Sequence, residues 1–420
     1  MCTIVTVPVN VAAQPVPVAA QSIPAPAPTS LRLALSTFGG YDTDITGTAA
    51  NAETAPDAPH GGAMASLEYS KRTDRITFSS GGSADTRYYV TDDPFPAASY
   101  FGSALFGAEV TSRFNVNANV DAAYSPQIVF SPLPIPGDIE TDLAPPTLDY
   151  GIAPQRMVSY AAGGNAAFRV SRHATLRAML SSSSQRFLDD DYSVRSLSYG
   201  GGYSHSVSRY ASLRLGYAQQ DTDYAAFETT PVRRYTQRTY DVGVDYSRPL
   251  SLSRKTTFSF GTGSAVLDNG VETFFNVTGS ASLSHQIGRT WEANVVYARG
   301  LGTVAGFLEP TFSDSVNANL QGHLNSRTTF TATGGYANGN VGVAAVSNDY
   351  DSFQATTRLE WDVQRDRTAI YASYYYYGYE YDEDTPTVVP MPSQIGRHGA
   401  QAGMIFRFPL IRERGSRVTR

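Results

Sequence analysis

The residues best suited to chemistry are scattered in this chain. Its six histidines, His60, His173, His205, His285, His323 and His398, stand singly, with no HExxH motif and no i, i+4 pair of the kind that holds zinc. Asp189-Asp190-Asp191 and Asp382-Glu383-Asp384 offer oxygen ligands of the type Ca²⁺ takes, but consecutive carboxylates belong more often to a solvated stretch. We read both as acidic loops. No glycine pattern of the Walker or dinucleotide kind follows a strand and opens a helix. The single cysteine, Cys2, permits neither an intramolecular disulfide nor a cysteine metal site. The expectation is a protein with no catalytic residue, no cofactor and no metal. Nucleic acid is an improbable partner, because the net charge is −6 and the basic residues sit apart in separate turns.

The composition says what elements carry these residues. The 420 residues include 36 Gly, 27 Tyr and 20 Phe but only 17% charged side chains, and 30 of the 32 basic residues are Arg, the exceptions being Lys71 and Lys255. Tyr, Thr, Val, Ser and Gly suit a pleated surface with one dry and one wet face, while good helix formers are scarce. No window supplies the run of about 20 apolar residues that a membrane helix requires.

One unit recurs from Leu31 onward: a strand of alternating polarity, a tight Ser/Asn-Arg turn, a second strand, then a longer polar loop. Phe353 to Val363, Phe114 to Asp121 and Val316 to Gln321 alternate apolar and polar residues, the period of a strand with one face against an apolar medium. The turns are Lys71 to Arg75, Thr111-Ser112-Arg113, Ser171-Arg172-His173, Ser208-Arg209-Tyr210, Ser253-Arg254-Lys255, Gly288-Arg289, Ser326-Arg327 and Arg365-Asp366-Arg367. Eighteen strands are predicted near 30–42, 61–70, 76–90, 99–110, 114–124, 155–170, 174–187, 194–207, 211–220, 236–246, 256–266, 273–286, 290–299, 311–324, 328–337, 351–363, 368–381 and 397–408. None of these spans contains any of the 24 prolines.

Most of the strands are longer than the ~5–6 residues usual in globular sheets and match a tilted membrane crossing. Short and long connections alternate, so all short turns fall at one end. The fold class expected is therefore all-β: an up-and-down transmembrane antiparallel β-barrel of about 18 strands, with periplasmic turns and extracellular loops. A β-propeller has a similar period but needs four short strands in each unit. Phe114, Phe168, Tyr246, Phe258, Phe330, Trp291 and Trp361 lie beside the short turns, where a girdle would meet lipid headgroups.

Residues 1–30 read as an export and linker segment, Pro/Ala-rich from Pro15 to Pro28, followed by the barrel at 31–408 and a basic periplasmic tail at 409–420. Met1 to Ser30 lacks the basic residues that precede the apolar part of a secretory signal, although Val11-Ala12-Ala13-Gln14 has cleavage-site character. We read a truncated or misplaced start, not an unexported protein.

Phe38-Gly39-Gly40-Tyr41-Asp42-Thr43-Asp44, the Ser-Arg turns and the absence of another domain resemble the β-barrel porins linked to bacterial exopolysaccharide loci. The resemblance implies the cell outer membrane and a channel, and supplies no catalytic residue. The final strand, in which Gln401 precedes Gly403, Phe406 and Phe408, is similar to the C-terminal recognition strand of barrel-assembly substrates. The match implies the barrel-assembly machinery as a partner. The tail after Phe408 departs from that pattern.

The function expected is passive passage of small polar solutes or ions, since 16–18 strands leave room for an aqueous channel. Arg177, Arg214, Glu292, Arg358, Glu360 and Asp362 are expected to face the lumen. The nine long loops hold 22 of the 38 acidic residues and only Arg233 and Arg234 among the bases, so a cation preference is expected. A non-conducting role, as an exopolysaccharide-export accessory or a structural barrel whose loops bind a partner, is the alternative. Ser125 to Pro154, with seven prolines, either folds inward or stands outside.

Overall fold

Alternating polarity over 12 or more residues leaves each strand one face for an apolar medium and one for polar groups, and closure of the sheet on itself satisfies both. The computed structural model describes residues 29–43, 57–91, 94–129, 151–153, 155–189, 192–225, 233–249, 255–268, 273–302, 311–341, 348–382 and 393–412, with Phe307, Glu309, Thr385 and Thr387 between them. The strands are β1 (Thr29–Asp42), β2 (Ala58–Arg72), β3 (Ile76–Tyr89), β4 (Phe95–Thr111), β5 (Phe114–Ser125), β6 (Ile128–Val129), β7 (Gly151–Ala153), β8 (Met157–Arg169), β9 (Ala174–Phe187) and β10 (Tyr192–Ser206). They continue with β11 (Ala211–Ala225), β12 (Arg233–Pro249), β13 (Thr256–Asp268), β14 (Thr273–Ile287), β15 (Trp291–Gly302), β16 (Thr311–His323), β17 (Thr328–Val341), β18 (Asn348–Gln364), β19 (Thr368–Tyr381) and β20 (Gln394–Arg412).

All but β6 and β7 form one 18-stranded antiparallel sheet. Each strand pairs with its sequence neighbours, and β1 pairs with both β2 and β20, so the sheet is a closed barrel. β6 and β7 pair with each other inside the connection between β5 and β8. The expected strands are all present, some longer than their alternation suggested. Pro59, Pro96, Pro249 and Pro409 lie in strand ends, where a missing N–H costs least. β20 also runs four residues into the segment read as tail. Its register with β1 shifts between Leu31 and Arg32, where Pro409 takes a place opposite Arg32.

The short turns owe their Ser/Asn-Arg signature to hydrogen bonding. Ser208 Oγ accepts from the backbone N–H of Tyr210 and Ala211 at 3.1 and 3.0 Å, Ser171 Oγ from that of His173 at 3.2 Å, and Asn325 Oδ1 from that of Arg327 at 2.8 Å. These side chains stand in for the carbonyls that a two-strand reversal leaves out of reach. Gly288 and Asp366 hold the left-handed conformation, with φ of 66° and 58°, as glycine and, less freely, aspartate can.

The topology sets an expected result. Epitopes inserted between β5 and β8 or between Asp382 and Ser393 label on intact cells, and epitopes at Arg209 or Arg327 label only after permeabilisation. Surface labelling at Arg209 or Arg327 would reverse the orientation.

Candidate functional site

Residues paired across antiparallel strands share a face, so the registers sort the wall into two surfaces. One surface carries Leu33, Leu35, Leu67, Val120, Leu215, Val242, Phe275, Val277 and Phe353, and Val242, Phe275 and Val277 are 72, 67 and 61% exposed. The opposite surface carries Asp42, Arg87, Arg214, Asp241 and Arg397, each 5% exposed or less. A closed wall crowds side chains on its concave side and splays them on its convex side. The charged surface is therefore the lumen, and the apolar surface faces outward.

The outward face has two aromatic girdles. Phe114 and Phe168 pair at the short-turn end, as do Tyr246 and Phe260, and Trp291, Phe330 and Trp361 lie at the same level. Trp291 covers Gly322, where any Cβ would collide with the indole. At the long-loop end Tyr100 stands against Tyr124, Tyr217 against Tyr240, and Tyr336 opposite Phe353. This tyrosine girdle was not read from the sequence, because its members fall at varied distances from the loops. From Phe114 to Tyr124, ten residues of β5 span about 33 Å of strand, or about 25 Å along the axis at a tilt of about 40°. That height matches the hydrocarbon band of an outer-membrane barrel.

Among the described residues, three ion-paired groups stand out on the concave face. Near the short turns, Arg358 Nη2 lies 3.1 Å from Glu360 Oε2, and its guanidinium sits 4.0 Å from the centre of the Tyr371 ring. Arg407 bridges Glu360 and Asp362, the latter at 3.5 Å. On β11 and β12, Arg214 contacts Asp241, donates from Nη1 to Asp245 Oδ1 at 2.6 Å, and donates from Nη2 to the Thr262 carbonyl at 3.0 Å. The ladder between β12 and β13 is interrupted between Tyr240 and Tyr246, and Arg214 supplies the Thr262 carbonyl with a donor there. Gly243 is required at this point, since a Cβ would meet that carbonyl.

The third group lies where the barrel closes, at the long-loop end. Arg397 Nη2 donates to Asp42 Oδ2 at 2.9 Å, Tyr375 donates to the other carboxylate oxygen, and His60 Nδ1 is 3.5 Å from Oδ2. Asp42, His60 and Arg397 have side chains with no exposure. Gly399 leaves the space that the Tyr375 ring and Asp42 occupy. Beside this group Arg87 lies 3.3 Å from Asp85 and stacks over Phe38.

The six residues expected in the lumen thus divide. Arg214 joins the β11–β12 group, and Arg358, Glu360 and Asp362 join the group with Arg407. The register puts Arg177 on the concave face opposite Ala167 and Gly202, and exposed Glu292 there opposite Gln286 and Gln321. Asp42, His60, Asp85, Arg87, Asp241, Asp245, Arg397 and Arg407 went unread. Their strand parity was a usable signal, since Asp241 and Asp245 are four apart on one face.

Of the acidic loop residues, Asp189 and Asp382 are described, while Asp190, Asp191, Glu383 and Asp384 lie outside the described residues. Asp189 accepts from Arg156 Nε at 2.8 Å and from the Arg156 backbone N–H at 2.9 Å, bonds that hold its carboxyl below the usual range. Asp382 Oδ2 accepts from the backbone N–H of Asp349 at 2.9 Å. In the terminal strand the registers put Gln401 and Gly403 on the concave face and Phe406 and Phe408 on the convex face, opposite Leu35 and Leu33.

The mouth is aromatic. Tyr192, Tyr224, Tyr350, Tyr377, Tyr379 and Tyr381 form one buried cluster with Phe187 and Phe307. Phe307, from the connection between β15 and β16, meets Tyr381 edge-on at 5.4 Å and forms an isolated bridge with Thr387. Two residues on, Glu309 accepts from Tyr235 of β12 at 3.4 Å. Phe307 and Glu309 thus stand in the mouth. Of the connection expected to fold inward or stand outside, residues 130–150 lie outside the described residues.

A closed wall, an apolar belt between two aromatic girdles and an ion-paired concave face define a β-barrel of the outer-membrane class. No family profile and no curated protein sequence matches the chain. Among solved structures, it is similar to OccK2 (OpdF) of Pseudomonas aeruginosa in complex with glucuronate, at 12% identity and a TM-score of 0.44, over 91% of this chain and 98% of that one. It is also similar to the siderophore receptor PirA of Pseudomonas aeruginosa, at 12% identity and a TM-score of 0.46, over 91% and 81%. OccAB3 of Acinetobacter baumannii gives 11% identity and a TM-score of 0.42, over 90% and 99%. Likeness at this level lends no property of those proteins to this chain.

Proposed function

We propose that the protein sits in an outer membrane, is delivered there by the barrel-assembly machinery reading Gln401, Gly403, Phe406 and Phe408, and conducts small polar solutes or ions passively with a preference for cations. The observation that carries the channel reading is the concave face itself. Eighteen strands enclose a cross-section wide enough for an aqueous channel, and the face that lines it carries charged side chains toward both ends. The group near the short turns is matched, Arg214 faces two carboxylates, and Arg177 stands on the same face, so the wall is close to neutral and by itself gives little preference. The preference comes from the long connections, which outside the strands hold 18 carboxylates against one arginine, Arg156, and so raise the local cation concentration within a Debye length of about 8 Å at physiological salt.

Planar-bilayer recording tests both parts. The expected result is discrete conductance steps and, in a tenfold KCl gradient, a reversal potential of cation sign that shrinks as salt rises. Anion selectivity, or none at low salt, would overturn the preference. A second reading, a non-conducting accessory in polysaccharide export or a structural barrel, is favoured by the aromatic cluster in the mouth, and absence of any conductance would select it.

A further inference from the structure

The convex rim above the tyrosine girdle is electrically divided. On one side, β9 to β12 bring Arg186, Arg195, Arg234 and Arg238 onto the face that carries Tyr199, Tyr217 and Tyr240. Arg186 pairs with Ser193, Arg195 with Asp223, Asp223 with Arg234, and Arg238 with Gln219. Arg156, just before β8, joins them through Asp189. Among the described residues, five guanidiniums stand there against Asp189, Asp221 and Asp223. Arg156 and Arg234 hold their carboxylates by paired bonds yet keep 57 and 68% of their side chains exposed. On the other side, β16 to β19 present Asp314, Asp349, Asp351 and Glu380, with Asp351 directly opposite Glu380.

Depth indicates what the arginine arc meets. Arg195 is four residues above Tyr199, about 13 Å of strand and about 10 Å along a tilted axis. That is the headgroup layer of the outer leaflet, above the level at which tyrosines mark the edge of the hydrocarbon. Arginine forks match phosphate oxygens in pairs, and arginine is less strongly hydrated than lysine.

We infer that the arginine arc on β8–β12 binds the phosphate groups of an outer-leaflet lipid directly, without a bridging metal ion. The inference rests on the membrane reading for the depth of the arc and goes beyond it in assigning a ligand.

The test uses the full chain, purified in detergent and incubated with a bis-phosphorylated glycolipid of the lipid A type in the presence of EDTA, with bound lipid counted by native mass spectrometry. The wild type is expected to retain the lipid, to bind its dephosphorylated form at least tenfold more weakly, and to lose at least tenfold in affinity as Arg186→Gln/Arg195→Gln/Arg238→Gln. The single variant Arg195→Gln, at an exposed site, should show a smaller loss and covers the case of a triple variant that does not fold. Asp351→Asn/Glu380→Gln should bind as the wild type does. Equal retention of the two lipid forms, release by EDTA, or unchanged binding in both arginine variants would overturn the inference. Those failures in a folded, detergent-bound barrel leave the membrane reading standing. A protein that does not partition with detergent at all overturns both.

Discussion

Phe408→Lys is expected to reduce the folded protein recovered from outer membranes at least tenfold, while Phe168→Lys, also on the convex face near the short turns, reduces it less than threefold. Both side chains point outward, Phe408 opposite Leu33 and Phe168 opposite Phe114. Both are 44–45% exposed. A lysine costs about 0–1 kcal/mol near the interface of such a barrel, against about 2–4 kcal/mol at the midplane. Lipid exposure alone therefore predicts a small and similar loss for the two. A large difference would show that the terminal strand is read by the assembly apparatus. The folded fraction is measured by the mobility shift between unheated and boiled samples, and equal yields of the two variants would sink the proposed recognition role.

Arg397→Met should destabilise the barrel by about 3–5 kcal/mol, because it leaves Asp42 as a buried charge without its cation. The double variant Asp42→Asn/Arg397→Met should lose less than the single one, since it removes both charges and leaves polar groups that Tyr375 and His60 can still satisfy. Denaturant titration in detergent micelles, followed by the same mobility shift, measures both. If Arg397→Met costs under 1 kcal/mol, or the double variant is worse than the single, the ion pair does not stabilise the closure.

These buried groups mark the boundary of what the sequence made legible. Strand placement was readable because period-two alternation and turn chemistry are local: Phe353 to Val363 and the Ser208 turn each announce themselves within a dozen residues. The fold class followed from strand length and from the alternation of short and long connections. What the lumen does with its charges was only half readable. Parity puts Arg214 on the wet face, but that it meets Asp241 and Asp245 depends on the register between β11 and β12, which the loop lengths do not reveal. Asp42 and Arg397 are 355 residues apart and become neighbours only because the first and last strands pair. The aromatic mouth was missed for a similar reason. Phe307 sits in a connection between strands, and nothing near it in the sequence indicates that Tyr350 and Tyr381 would receive it.

The pairing of β1 with β20 also governs the order of events during biogenesis. By the loop-closure relation, joining ends 355 residues apart costs about 5 kcal/mol, against about 3 for the 29 that separate Thr256 from His285 in one hairpin, so the equilibrium cost of the seam is only about 2 kcal/mol above that of a hairpin. Connectivity does distinguish it. Seventeen of the eighteen contacts in the ring join consecutive strands of the barrel and need only neighbouring parts of the chain, whereas the eighteenth needs both of its ends. Until these meet, the sheet has two open edges, one of them the β1 edge with its row of unpaired amides and carbonyls. A chain cut short before β20 would stay in that state permanently, and its fate would be aggregation or proteolysis, not a smaller pore.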